Sequence, residues 1–176
     1  KTHQIVGGGD NVRPGDTLDW ELTWTTASTT ALPNVTVTDI LPAGFSLVIE
    51  EAPCFQVIGL YADATECAAD ATEPLYEAVK QADGTTLITF DKLALPTIGG
   101  DKKYQIRLKV IADDGVLQGV YKNEFKVTPP PEFDAVCGYY DTTVAESCGD
   151  IDNVNVVSSA AVGLQKWDKG PEPNVS

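Results

Sequence analysis

The sequence has little of what catalysis and nucleic-acid binding require. Among 176 residues there is one His, and 12 Lys and Arg stand against 26 Asp and Glu, a formal net charge of −14. The basic residues form no run, which argues against nucleic acid and against anionic membrane surfaces as partners. No apolar stretch approaches the roughly 20 residues of a membrane-spanning helix, so membrane insertion is not expected. GxSxG and HExxH motifs are also missing, and we predict no enzyme.

The residues that are present suit one folded domain. The hydrophobic share of 43% is enough for a core, and the length fits one domain of roughly 100–200 residues. The sequence contains no Met. We therefore expect a processed chain or a segment of a longer one.

The chain has four cysteines, Cys54, Cys67, Cys137 and Cys148. They lack CxxC spacing, and a zinc site is implausible with a single His. The local pairing, 54–67 and 137–148, would close two short loops, each stabilising the fold by roughly 3 kcal/mol. Two other pairings, and four buried free thiols, remain as alternatives. Disulfides would indicate an oxidising, extracellular setting and a cell-surface location.

Apolar and polar residues alternate along much of the chain, which is typical of half-buried strands. The alternation predicts strands near residues 17–24, 35–39, 88–90, 104–110, 121–127 and 154–164. Trp20 and Trp24 share one parity and are predicted to lie in the core. No helix longer than a turn or two is expected, and the best candidate for one is residues 72–81, limited by Pro74. Many short strands predict an all-β antiparallel sandwich, with excursions at residues 50–73 and 129–149 tied by the cysteines.

Four segments carry a family resemblance: RPGDTL at residues 13–18, NVTVTDILPAGF at 34–45, the hairpin over 84–110, and KNEFKVT at 122–128. Together they resemble the "conserved repeat" family, immunoglobulin-like modules of unknown function in tandem arrays of bacterial and archaeal surface proteins. That family is related to isopeptide-forming pilin and adhesin domains. The resemblance implies an immunoglobulin-like sandwich over residues 1–165. Residues 166–176 would be a linker or the first strand engaging the next module.

The resemblance also implies a function. We expect a structural subunit of a pilus-like extracellular filament or a surface-protein array, with copies of itself as head-to-tail partners. Strand addition by the C-terminal segment is one route of assembly. The residues predicted to contact the next subunit are Val154, Val156, Val162, Leu164 and Trp167. The alternative is an adhesin module that binds a glycan or a protein.

Isopeptide-forming modules join a Lys of the first strand to an Asn of a late strand, assisted by a buried acid. The matching residues here are Lys1, Asn123 and Asp39. The alternation agrees with this, because Asp39 is predicted to face the core side of its strand with Val37, and Asn123 the core side of its strand with Phe125. Burial would favour the neutral amine and the protonated acid that the reaction needs. In the ordinary alternative, Asp39 bonds turn backbone, Asn123 pairs at a strand edge and Lys1 is exposed.

Two weaker sites complete the predictions. Asp150, Asp152, Asn153 and Asn155 place several oxygens in what resembles the family's turn before its last strand, so calcium is a candidate ligand. The spacing departs from an EF-hand, and a solvated acidic turn is the alternative. Asn34 begins an Asn-Val-Thr glycosylation sequon. No other cofactor is expected.

Overall fold

The computed structural model describes residues 1–26, 30–62, 64–128, 130, 137–138 and 148–157. The strands in these segments pair antiparallel with one another. They are β1 (Thr2–Ile5), β2 (Thr17–Thr26), β3 (Leu32–Leu41), β4 (Phe45–Leu47), β5 (Cys54–Gly59), β6 (Tyr76–Lys80), β7 (Thr86–Leu95), β8 (Lys102–Ala112), β9 (Gly119–Thr128), β10 (Cys137–Gly138) and β11 (Cys148–Val156).

The strands form two sheets. One has six strands in the order β1-β2-β8-β4, with β10 beside β2 and β5 beside β8. The other has five in the order β11-β9-β3-β7-β6. The predicted immunoglobulin-like sandwich is therefore confirmed. The described segments contain no helix that could span a membrane.

The core lies between the sheets and follows the predicted alternation. Leu18, Trp20 and Leu22 of β2 are fully buried, and the intervening positions face away from them because strand side chains alternate. Burying a side chain of this size contributes about 1.5–3 kcal/mol relative to exposure. Trp24 packs at the edge of the same core against Phe55 and Tyr104, so both tryptophans lie where the sequence predicts.

A tight turn follows β3. Pro42-Ala43-Gly44 turns the chain into β4, and Gly44 has a φ of 88°, a conformation that glycine adopts most readily. A Cβ at this position would lie 2.8 Å from Cγ2 of Val116. Both the backbone conformation and the packing therefore require glycine there.

The best helix candidate, residues 72–81, is wrong, because residues 76–80 form a strand. Strand β6 occupies this segment and pairs with β7 at the edge of the five-stranded sheet. Because four of its five residues are exposed, the segment has little apolar alternation to reveal a strand. Pairing with β7 decides the conformation by satisfying the backbone hydrogen bonds along one side of β6.

The excursion at residues 50–73 is more ordered than the sequence suggests. It contains β5, which extends the six-stranded sheet by pairing with β8. A disulfide joins Cys54 to Cys67, whose Cα atoms lie 6.2 Å apart, so the first predicted pair is confirmed. The side chains of Cys137 and Cys148 lie outside the described residues.

Candidate functional site

Two of the predicted site residues lie side by side on the inner face of the five-stranded sheet. Asp39 is in β3 and Asn123 in the neighbouring β9, where Phe125 is the register partner of Asp39. Asn123 is therefore a diagonal neighbour of Asp39 on the same face. Both are fully buried, as their parity with apolar neighbours predicts.

Lys1 reaches this pair from the opposite sheet. It immediately precedes β1, which belongs to the six-stranded sheet. Its Nζ donates a hydrogen bond to Oδ1 of Asp39, and both side chains have no exposed surface. The side chain thus crosses the core and links the two sheets.

Aromatic rings enclose the amine. Nζ of Lys1 lies 5.4 Å from the centroid of the Trp20 ring and 5.9 Å from that of Phe125. Rings at this distance attract a cation through their quadrupole. They also exclude water, which strengthens the electrostatic interaction between Lys1 and Asp39.

The cluster contains polar atoms with no partner. Within the described chain, Nδ2 and Oδ1 of Asn123 and Oδ2 of Asp39 are buried without a hydrogen bond. Each such group typically costs about 1–3 kcal/mol. Buried polar groups in native proteins are nearly always paired, so this cluster is a candidate functional site.

Burial raises the pKa of the Asp39 carboxyl above its ordinary value. The charge and the hydrogen bond of Lys1 oppose this shift, and so does the adjacent Asn123 amide. Desolvation is the larger effect because a buried carboxylate loses its hydration. Asp39 is therefore a better proton acceptor than an exposed aspartate, beside an amine and an amide.

The structure thus brings Lys1, Asp39 and Asn123 together, and the ordinary alternatives for them do not apply. Lys1 is not exposed at its side chain, and Asn123 is buried inside the sandwich instead of lying at a sheet edge. The bond itself stays a prediction.

The residues predicted to bind calcium lie in strand β11 and not in a turn. Successive side chains of a strand point to opposite faces, so Asp152 is half-buried while Asn153 and Asn155 are exposed. Asn155 donates a hydrogen bond to Asn11 at 2.7 Å, and the side chain of Asp150 lies outside the described residues. The described segments hold no group of three or more His, Cys, Asp or Glu arranged for a metal.

Sequence reasoning missed the partners of Asp152. Its Oδ2 lies 2.5 Å from Nδ1 of His3 and accepts a hydrogen bond from Nε1 of Trp20 at 3.1 Å. Partial burial raises the pKa of Asp152, but the contacts with His3 and Trp20 outweigh it, and the net pKa is lowered. The sequence did offer one signal for this contact. His3 lies two residues from Lys1, so the two side chains are expected on the same face of the chain.

The predicted subunit-contact residues divide into two groups. Val154 and Val156 are fully buried in the chain's own core, because β11 pairs with β9 of the same chain. They are therefore not available to a neighbouring subunit, which corrects that part of the prediction. Val162, Leu164 and Trp167, like residues 166–176 as a whole, lie outside the described residues. Asn34 of the sequon is exposed.

No protein-family model matches the chain, and no curated protein matches it. Solved structures with some likeness include the backbone protein of group B streptococcus pilus 2b, 13% identical over 88% of this chain and 57% of that one, with a TM-score of 0.49. Another is the major pilin subunit of Bacillus cereus, 15% identical over 89% and 39%, with a TM-score of 0.48.

A third likeness is to the collagen-binding domain of a Staphylococcus aureus adhesin, 12% identical over 79% of this chain and 87% of that one, with a TM-score of 0.40. Enzymes also occur among the similar structures. The chain spans little more than half of the pilus 2b protein. At this level of similarity, none of these proteins assigns a function to the chain.

Proposed function

We propose that the chain is a structural module of an extracellular filament or surface-protein array, internally cross-linked by an isopeptide bond between Lys1 and Asn123. The observation that carries the proposal is the buried cluster of Lys1, Asp39 and Asn123, which spans the two sheets and leaves the amide of Asn123 without a partner. In this proposal Lys1 is the nucleophile, Asp39 the proton acceptor and Asn123 the electrophile, and all three side chains are buried.

The proposed reaction begins with proton transfer from the Lys1 ammonium to the Asp39 carboxylate, which the raised pKa of Asp39 favours. The neutral amine then attacks Cγ of Asn123. A C–N bond forms between Cγ and Nζ, Asp39 passes its proton to Nδ2, and the bond from Cγ to Nδ2 breaks so that ammonia leaves. Nζ gives up its second proton to Asp39, which ends the reaction protonated. Neither an oxidant nor an external co-reactant is needed.

A bond at this place suits a part that bears load. It would tie β1, at the edge of one sheet, to β9 in the other sheet, so the sheets could not separate without breaking a covalent bond. The Cys54–Cys67 disulfide supports an extracellular or cell-surface location, because such bonds persist in oxidising compartments. We infer head-to-tail assembly with copies of the same chain, through residues after β11.

Intact-mass spectrometry of the reduced protein tests the bond. We expect the chain to weigh one ammonia less than its sequence, and the Asn123→Ala variant to have its full sequence mass. Loss of one water instead would mean that Lys1 has reacted with the Asp39 carboxylate it touches. The full sequence mass for the unsubstituted chain would refute the cross-link.

A binding module is the second candidate, and one observation favours it. Tyr61 is 91% exposed on the excursion that the Cys54–Cys67 disulfide ties down, and exposed aromatics on rigid loops often anchor a partner. A glycan array or a panel of extracellular matrix proteins would test this role. Binding that Tyr61→Ala abolishes would favour the adhesin, and no binding would favour the structural module.

A further inference from the structure

A second contact crosses the core beside the proposed cross-link. His3 of β1 contacts Asp152 of β11 at 2.5 Å, so this pair also joins the six-stranded sheet to the five-stranded one. The His3 and Asp152 side chains are only 20% and 17% exposed. Trp20, which donates to the same carboxylate oxygen, holds Asp152 from a second direction.

This contact is adjacent to the cluster of Lys1, Asp39 and Asn123. Lys1 and His3 share one face of the chain at β1, because they are two residues apart. Across the core, Asp152 is the direct register partner of Asn123. Trp20 contacts both groups, through its ring with Lys1 and through Nε1 with Asp152.

Besides the contact of His3 with Asp152, the contact of Lys1 with Asp39 ties this end of β1 to the opposite sheet, and Thr2 donates a hydrogen bond to Glu21 at 3.1 Å within its own sheet. Strand β1 is four residues long and lies at a sheet edge, where it pairs with β2. Val12 is hydrogen-bonded to β11 through Asn155 at 3.0 Å. However, Gly7, Gly8 and Gly9 lie between Val12 and β1, all with positive φ and no neighbour near a Cβ. Because glycine is conformationally permissive, we expect this segment to transmit little of that anchoring to β1.

We propose that His3 and Asp152 are positioning residues, which clamp β1 across the core so that Lys1 is held against Asn123 for cross-linking. The inference rests on the proposed isopeptide bond. Attack by an amine on a carbon requires the two atoms within about 3–3.5 Å, and a displacement of about 1 Å can slow such a step roughly a hundredfold. Without the clamp, the pairing with β2 and the contact of Lys1 with Asp39 would remain, and we expect Lys1 to be displaced from Asn123 more often.

The test compares Asp152→Ala, which removes the clamp, with Asp152→Asn, which keeps oxygen and nitrogen atoms for His3 and Trp20. A second variant, His3→Phe, removes the contact from the other side and retains a ring against Trp20. The cross-linked fraction is followed by intact mass during incubation after synthesis. Hydrogen exchange of the β1 amides is measured in an Asn123→Ala background, where no bond can form.

We expect cross-linking in Asp152→Ala and His3→Phe to be roughly ten to a hundred times slower than in the unsubstituted chain, with faster exchange in β1 and unchanged exchange in β8 and β9. Asp152→Asn should restore most of the rate. A merely structural role would instead raise exchange throughout the sandwich.

Folded Asp152→Ala and His3→Phe variants that cross-link at the unsubstituted rate would overturn the inference, as would unchanged exchange in β1. If the unsubstituted chain lost no ammonia, the cross-link and a positioning role for it would both be refuted. Exchange in β1 would then show separately whether the contact clamps the strand.

Discussion

Asp39 combines complete burial with an incomplete set of partners. One carboxylate oxygen is bonded to Lys1 and the other has no partner among the described residues. An aspartate at a core position destabilises the fold unless it is paired and fully hydrogen-bonded. A role in moving a proton during cross-linking would explain why a destabilising aspartate occupies this core position.

The raised pKa of Asp39 predicts a pH-dependent stability once the cross-link is removed. In Asn123→Ala, folding holds the Asp39 proton more tightly than the unfolded chain does. The resulting stabilisation is fully present below the unfolded pKa of about 4 and is lost as the pH rises through the folded value. Urea unfolding of Asn123→Ala between pH 3.5 and 8 should show this fall.

The control is the same chain with Asp39→Asn added, which cannot titrate at this position. As the pH rises, the variant with Asp39→Asn added should become more stable relative to the variant that keeps Asp39. Parallel curves would show that the pKa of Asp39 is not raised by folding.

Among the elements, the excursion at residues 50–73 covers part of the outer face of β8, which would otherwise face solvent. The alternation of β8 predicts Gln105, Arg107 and Lys109 on the solvent side. Gln105 and Arg107 are nevertheless buried. Arg107 donates to Oε1 of Glu21 at 2.6 Å and to the carbonyl oxygen of Thr65 at 2.7 Å. The disulfide-tied segment therefore packs over the sheet, and the hydrogen bonds of Arg107 hold it there.

Because Arg107 neutralises the buried Glu21, Arg107→Ala should be strongly destabilising. Removing one partner leaves a buried charge uncompensated, which costs about 3–5 kcal/mol. Lys109→Ala is the matched control on the same face of β8, since its pairing with the largely exposed Glu51 contributes at most about 1 kcal/mol. Chemical denaturation measures both. Similar losses in the two variants would contradict the anchoring role of Arg107.

At the scale of the whole molecule, a bond from Lys1 to Asn123 would close a loop of more than about 100 residues. Such a closure restricts the unfolded chain, and in the chain-entropy model it stabilises the fold by about 5 kcal/mol. The benefit depends on the joined residues being distant in sequence and close in the fold. Both conditions hold for β1 and β9, which belong to different sheets.

We therefore expect Asn123→Ala to lower the unfolding free energy by about 5 kcal/mol, the entropic contribution of the bond. Asn153→Ala, at an exposed position of β11, should change it by less than about 0.5 kcal/mol. Guanidinium unfolding measures both. An Asn123→Ala variant as stable as Asn153→Ala would argue that the chain carries no cross-link.

Strands with strong alternation, and the residues that face inward on them, could be predicted from the sequence. Period-two alternation is a local property, so β2, β3, β8 and β9, and the inward positions of Asp39 and Asn123, could be predicted without any contact. Strand β6 could not, because it is mostly exposed and its conformation depends on pairing with β7.

Which of these residues meet depends on how the two sheets pack. The contact of Lys1 with Asp39, the contact of His3 with Asp152 and the ion pair of Arg107 with Glu21 all join segments far apart in the chain. The parity of one strand says which face a side chain takes, but not what the opposite sheet or an overlying loop places against it. The site therefore exists only because the two sheets pack face to face.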